Sequence, residues 1–359
     1  MAWEVKTITH DIPSRMNTVI IQKRVQMESR AQIKTIRFIL LLMALVLAIN
    51  CGQTRNKTYR VGILCGLDYI AEITEGFKAK MAELGYVEGK NIVYDIQRTN
   101  FEPIREKQIL EQFVKSKMDL IFTFPTEVSM AAKTIAQGSG IPVLFCFANI
   151  EGTDLVENIR QPGGNITGVR YPGPDIAIKR FEIMLELVPR AKRMWIPYQR
   201  GYPIVASQIE ALKEVAISSG VKLEEFPAND AAEIQAYLDK RSKLADVGMD
   251  AILFIAEPLC VTDDAFAVMG KFALEHKIPI GGALMLVGDI GSIFGVNVEI
   301  VNTGKQAAQL ADKILKGTPA ESIPVISAES FFQINYNVAK QFGLIVSEGL
   351  LSRADEIIQ

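Results

Sequence analysis

Few residues in this chain are suited to catalysis. Its two histidines, His10 and His276, lie far apart and away from any cysteine pair, so neither a zinc site nor a Ser/His/Asp triad can be assembled from them. No paired acid and base, cofactor fingerprint or phosphate loop stands out either, and the reading is of a non-enzymatic protein without cofactor or metal. The remaining polar groups suit the holding of a small charged solute. Thr126 and Ser129 open a helix directly after the apolar run 119–124, where free backbone N–H groups and the positive end of the dipole receive a carboxylate. Thr126 reads equally as a plain N-cap. Arg200 follows the run 193–197 and has the planar fork for bidentate pairing with a carboxylate, or stands solvated. Glu257 follows the run 250–255 and offers its charge to an ammonium. Tyr69, Phe124, Phe147 and Tyr198 would stack on an aromatic group or enclose an aliphatic one, unless they are core. Leu67, Asp68, Pro125, Ala148 and Ala283 occupy the same kind of position and complete the candidate set.

All of these residues sit at the ends of short apolar runs, and those runs define the elements that position them. Residues 60–65, 91–96, 119–124 and 141–146 have strand length, and helical spacing of apolar residues fills 70–84, 103–115 and 125–136 between them. Strands alternating with helices predict a parallel sheet covered on both faces, with ligands at the carboxyl ends of the strands. The plan repeats further on, with strands at 193–197, 221–226, 250–255 and 278–281 and helices at 176–187, 204–218, 231–244 and 263–275. A chain of 359 residues is long enough for about two domains. Between the halves lies Arg160-Gln161-Pro162-Gly163-Gly164-Asn165-Ile166-Thr167-Gly168-Val169-Arg170, where Pro162 ends a helix and the glycines tolerate positive φ; its residues alone read equally as an ordinary surface turn, and its position between two similar halves favours a hinge. A formal net charge of -2 gives no electrostatic case for nucleic acid.

The first fifty residues follow a different plan. Arg30, Lys34 and Arg37 precede an uncharged apolar run, 38–49, shorter than the ~20 residues of a spanning helix, which is the pattern of an export signal. The run ends at Cys51 in a segment resembling the lipobox of bacterial lipoproteins, although Asn50 stands where most lipoboxes carry Gly, Ala or Ser. Acylation of Cys51 would anchor an exported body to a bacterial membrane; an uncleaved anchor or a different cleavage site is the alternative, and the body is exported either way. Residues 1–26 lack signal character, and Met27 makes the sounder start. Residues 52–58 read as a polar tether. Cys65, Cys146 and Cys260 fall at strand ends; Cys65 and Cys146 are placed on neighbouring strands, and buried free thiols are the favoured state for them.

Three segments carry a resemblance: Glu75-Gly76-Phe77-Lys78 running on to Gly85-Tyr86-Val87-Glu88-Gly89-Lys90-Asn91, then 160–168, then Leu350-Leu351-Ser352-Arg353-Ala354-Asp355-Glu356-Ile357-Ile358. Together they resemble the substrate-binding lipoproteins of ABC transporters that include the tryptophan- and tyrosine-binding proteins, from about residue 59 to 358. The resemblance implies a type I periplasmic-binding fold, α/β, with two doubly wound parallel-sheet lobes, a three-stranded hinge and a ligand cleft between the lobes. Crossings are expected near Tyr171, Asn297 and Val325, giving one lobe from 59–171 with 298–325 and another from 172–297 with 326–359. It also implies capture of a small solute, an aromatic amino acid foremost, for an ABC permease and its ATPase. The alternatives are a ligand-sensing subunit of a membrane signalling protein, or a different small solute.

Overall fold

The computed structural model describes residues 57–359. The signal-like run, the alternative start at Met27, Cys51 and most of the tether lie outside the described residues. Among the described residues no helix is long and apolar enough to cross a membrane.

Six parallel strands form the sheet of the first lobe: β1 (Tyr59–Cys65), β2 (Ile92–Arg98), β3 (Leu120–Phe124), β4 (Val143–Ala148), β5 (Ile166–Arg170) and β13 (Ile326–Ser327), in the order β13-β5-β4-β3-β1-β2. Apart from β2 and β13 at its edges, these strands are almost wholly buried, as parallel strands must be when helices cover both faces. Helices α1 (Ile73–Glu83) and α8 (Ile300–Leu315) cover one face, where Phe77 stacks on Phe122. Helices α2 (Pro103–Lys115) and α3 (Thr126–Ile135) cover the other, over Leu110, Phe113, Val128 and Ala132. The contact between α1 and α8 depends on two glycines. A Cβ on Gly76 would meet the Val301 carbonyl oxygen at 1.9 Å, and one on Gly304 the Ile73 oxygen at 2.1 Å.

The second lobe is built on β6 (Arg193–Gln199), β7 (Lys222–Ala228), β8 (Ala251–Leu253) and β9 (Ile280–Gly281), parallel in the order β7-β6-β8-β9. A small hairpin, β10 (Leu286–Val287) and β11 (Ile290–Gly291), follows β9. Backbone bonds from Ile293 to Ile280 and from Val296 to Gly282 then continue the sheet into β12 (Phe294–Val298), β14 (Ser330–Asn335) and β15 (Glu356–Ile358). Helices α4 (Gly173–Leu187) and α5 (Val205–Ser218) cover one face, and α6 (Ala231–Arg241) and α7 (Asp263–His276) the other. Two short helices, α9 (Tyr336–Gln341) and α10 (Glu348–Leu351), lead to β15, so the third signature segment ends in a strand. The apolar layers under α1/α8 and under α4/α5 belong to one continuous core cluster, which includes Tyr171, Ile176 and Val298.

The chain passes between the sheets three times, at Tyr171–Pro172, around Glu299 and at Ala328–Glu329. The last two positions fall a few residues beyond those read from the sequence, because β12 extends to Val298 and β13 still pairs with β5. The segment 160–170 is not the hinge. Val143 pairs with Ile166 at the amino end of β5, so Gly163 (φ 74°) and Gly164 (φ 54°) form a turn inside the first lobe. The proximity expected of Cys65 and Cys146 is also corrected, since β3 lies between β1 and β4. Cys65, Cys146 and Cys260 are free and buried.

Candidate functional site

The carboxyl ends of the two sheets meet across the crossing segments. The Asn297 side chain, on β12, donates to the Tyr69 hydroxyl in the loop after β1, 3.4 Å away. The ring of Tyr69 stands edge-on to Phe147, whose ring in turn lies 5.0 Å from Tyr171 at the first crossing. Phe147 is directed by a bulge. The β4–β5 register shifts between Cys146 and Ala148, and Phe147 takes φ 50° as the extra residue. A bulky side chain in the left-handed region costs energy that the surrounding structure must offset.

Arg180 is the main charged group of this junction. It lies on α4, in an apolar stripe with Ile176, Ala177, Ile183 and Met184, and is 2% exposed. Its Nε and Nη2 donate to the Val296 carbonyl at 2.9 and 2.6 Å, and Nη1 donates to the Phe254 carbonyl at 3.1 Å. No carboxylate approaches it within ion-pair distance among the described residues. Burial draws its pKa below the usual arginine value, opposed by the hydroxyls of Tyr171 and Tyr69 and by Glu257. The guanidinium nevertheless stays charged. Burial pushes the Tyr171 hydroxyl up to about 12 even though Arg180 acts to lower it.

The first lobe contributes negative charge. Glu127 lies in the first turn of α3, and its Oε2 is buried without a hydrogen-bond partner. Burial raises its carboxyl above the ordinary range, its own backbone N–H works the other way, and Glu106 adds to the rise. Tyr202, after β6, feels Glu127, Glu257 and Tyr171 together, and burial raises its hydroxyl first of all. Asn149 is 4% exposed, and its Oδ1 also lacks a partner. A Cβ at residue 173 would come 2.6 Å from that oxygen, so Gly173 leaves room for it at the start of α4.

The residues chosen from the sequence fall into three groups. Tyr69 and Phe147 line the junction, with Leu67 and the exposed Asp68 beside them in the loop after β1. Pro125 and Thr126 begin α3, and Thr126 Oγ1 accepts from the Asn149 backbone N–H rather than capping its own helix. The others are already engaged. Phe124 and Ala148 are fully buried core residues, with Phe124 against Phe122. The Tyr198 hydroxyl is turned to Glu225 on the edge strand. Arg200 is exposed, donates to the Pro227 carbonyl and pairs with Glu233 at 3.2 Å. The Ala283 carbonyl accepts from Ser292. Glu257 receives the backbone N–H groups of Gln199, Leu259 and Cys260, at 2.7 to 2.9 Å, and holds its own loop in place. Arg180, Tyr171 and Tyr202 at this junction are not among the residues chosen from the sequence, while Glu127 and Asn149 stand in the strand-end loops 124–127 and 147–149 considered there without being singled out. A charge set into the apolar stripe of α4 was the available signal for Arg180.

Two α/β lobes joined by three crossings, with strand ends facing a shared junction, define the two-lobed binding-protein class. The model of the family described as "ABC transporter substrate binding protein" matches residues 61–358, and the chain belongs to that family. It is therefore a substrate-binding protein of an ABC transporter, a class that is extracytoplasmic and not enzymatic. The chain is similar to a tyrosine-binding protein of Clostridioides difficile (strain R20291), 24% identical over 256 residues, 71% of each chain. A conserved domain protein from Vibrio cholerae O1 biovar El Tor matches with TM-score 0.70 and 27% identity, over 84% of this chain and 100% of that one. A Streptococcus ABC domain solved in complex with L-Trp matches with TM-score 0.70 and 22% identity, over the same shares, which shows the fold.

Proposed function

We propose that this protein is the receptor of an ABC importer, anchored to the membrane by a lipid on Cys51, and that it captures an amino acid, aromatic for preference, between its lobes. The observation that carries this reading is Arg180, a buried cation lacking a carboxylate partner at a junction walled by Tyr69, Phe147, Tyr171 and Tyr202. A site with unspent charge and aromatic walls fits a small solute that brings an anion and a ring. The tyrosine-binding relative and the L-Trp complex support the ligand class.

In this reading the lobes close over the solute by bending at the three crossings. Three parallel backbone connections permit bending and resist swivelling. The closed form is the one a permease accepts, with its ATPase supplying the work, and the open form reloads.

The test is native mass spectrometry of the purified protein, followed by thermal shifts with the twenty amino acids. A native-state binder raises apparent stability by mass action, so the expected result is a rise with L-tryptophan or L-tyrosine. A flat response to all twenty, with a different small mass carried through purification, replaces the amino-acid reading with another solute.

A further inference from the structure

The junction carries one unsatisfied charge on each lobe. We infer that the ligand is a zwitterion of the α-amino-acid class, held with its carboxylate on Arg180 of the second lobe and its ammonium on Glu127 of the first. This rests on the receptor reading above and fixes the orientation of the solute within it. It reverses the polarity read from the sequence, which had the carboxylate at the start of α3 and the ammonium on Glu257.

A guanidinium has five N–H groups, and Arg180 gives three of them to neutral carbonyl oxygens, leaving one each on Nη1 and Nη2. Carbonyl dipoles alone are poor compensation for a charge that is 2% exposed. Glu257 is the carboxylate felt by Arg180, yet both its oxygens are occupied by backbone N–H groups, those of Leu259 and Cys260 in its own loop and that of Gln199 at the end of β6. An arriving carboxylate would take the spare donors of Arg180 without displacing any existing partner.

Glu127 is the complement. Its Oε2 is buried and bare, whereas its neighbour Glu106 already receives the Thr99 hydroxyl at 2.9 Å. The first turn of a helix favours a negative charge, so α3 keeps this carboxylate suited to a cation. Asn149 Oδ1, buried and unpartnered beside Gly173, supplies a second acceptor near the start of the same helix through its backbone bond to Thr126. Because Arg180 and Glu127 belong to different lobes, a ligand bearing both charges links them, and a ligand bearing one engages a single lobe. The zwitterion is thereby both the specificity element and the closing force.

The experiment is calorimetric titration of the full-length protein in detergent with L-tryptophan, with tryptamine, which lacks the carboxylate, and with indole-3-propionate, which lacks the ammonium. A parallel series uses L-tyrosine, tyramine and 3-(4-hydroxyphenyl)propionate. Each analogue is expected to bind at least about a hundredfold more weakly than its parent amino acid, given the strength of charge-assisted hydrogen bonds. Glu127→Gln should weaken the amino acid at least about tenfold and leave the propionate unchanged, while Arg180→Gln should weaken the amino acid and leave the amine unchanged. Circular dichroism checks the fold of the Arg180 variant, and the wild-type analogue series decides the question if that variant does not fold. Analogues within about threefold of the parent, or a Glu127 variant that weakens amino acid and propionate equally, overturn the orientation and leave the receptor standing. Tight binding of an uncharged solute with no response to any amino acid overturns the zwitterion.

Discussion

Arg180 and Arg200 stand in the same lobe and carry the same charge, yet they differ in every respect relevant to binding. Arg200 follows a strand, where ligand-binding residues are commonly found, but it is exposed and already paired with Glu233 and the Pro227 carbonyl. Arg180 lies in a helix, a less obvious place, and is buried with only carbonyl partners. Glu257 and Glu127 repeat the contrast: the first holds three backbone N–H groups, while the second has a bare oxygen. A residue able to bind is identified less by its place in the chain than by what its neighbours leave unsatisfied.

The contrast can be broken most directly through the arginines. Arg180→Met is expected to lower affinity for the bound amino acid by about a hundredfold or more, and Arg200→Ala by less than about threefold, measured by calorimetry. Equal losses would erase the distinction. The glutamates give the next effect. Glu257→Gln replaces a carboxylate acceptor with an amide and should cost about 2 kcal/mol in urea denaturation. Glu127→Gln should instead stabilise the ligand-free protein at neutral pH, by on the order of 1 kcal/mol, because it removes a half-buried charge whose Oε2 is bare.

A smaller effect lies in pH. The folded Glu127 carboxyl sits above its ordinary value of 4.5, so the folded state holds this proton more tightly than the unfolded chain does. Its contribution to stability is therefore fully present below pH 4.5 and is lost as pH rises through the folded value. Binding an ammonium requires the ionised form, so affinity should rise over the same window. Glu106, Glu257 and Tyr202 share its surroundings, and Glu127→Gln isolates its part by flattening both slopes, as thermal melts and titrations across pH would show. The smallest expected change is from Tyr69→Phe, which removes a 3.4 Å hydrogen bond at an exposed ring. Affinity should shift by no more than about threefold.

The fold was legible because it is written in periodicity: apolar runs of strand length alternate with helical stripes, and 103–115 coincides with α2. The order of strands within a sheet is not written locally, which is why Cys65 and Cys146 were placed together although β3 separates them. The segment 160–170 misled because glycine and proline mark a turn without saying whether it joins elements of one lobe or of two. Tyr69 and Phe147 meet at the junction where the strand-end rule places them. Tyr171 and Tyr202 escaped it because a tyrosine inside a crossing or loop has no pattern of its own. Glu127 and Asn149 follow strand ends closely, and only their unpartnered oxygens single them out.

The route of the chain also governs the order in which the protein can be made. Helix α8, packed against α1 through Gly76 and Gly304, and strand β13, the edge partner of β5, come from residues beyond 299, after nearly all of the second lobe. As the polypeptide emerges from its amino terminus, the first lobe has its strands in hand yet lacks the cover for one face and one edge of its sheet. It must wait, partly open, while the second lobe is delivered. Pairings across such long stretches of chain are slow to form, so a chain with this topology is exposed to aggregation until α8 and β13 arrive. The first lobe is accordingly completed only by residues 300–327, which follow most of the second.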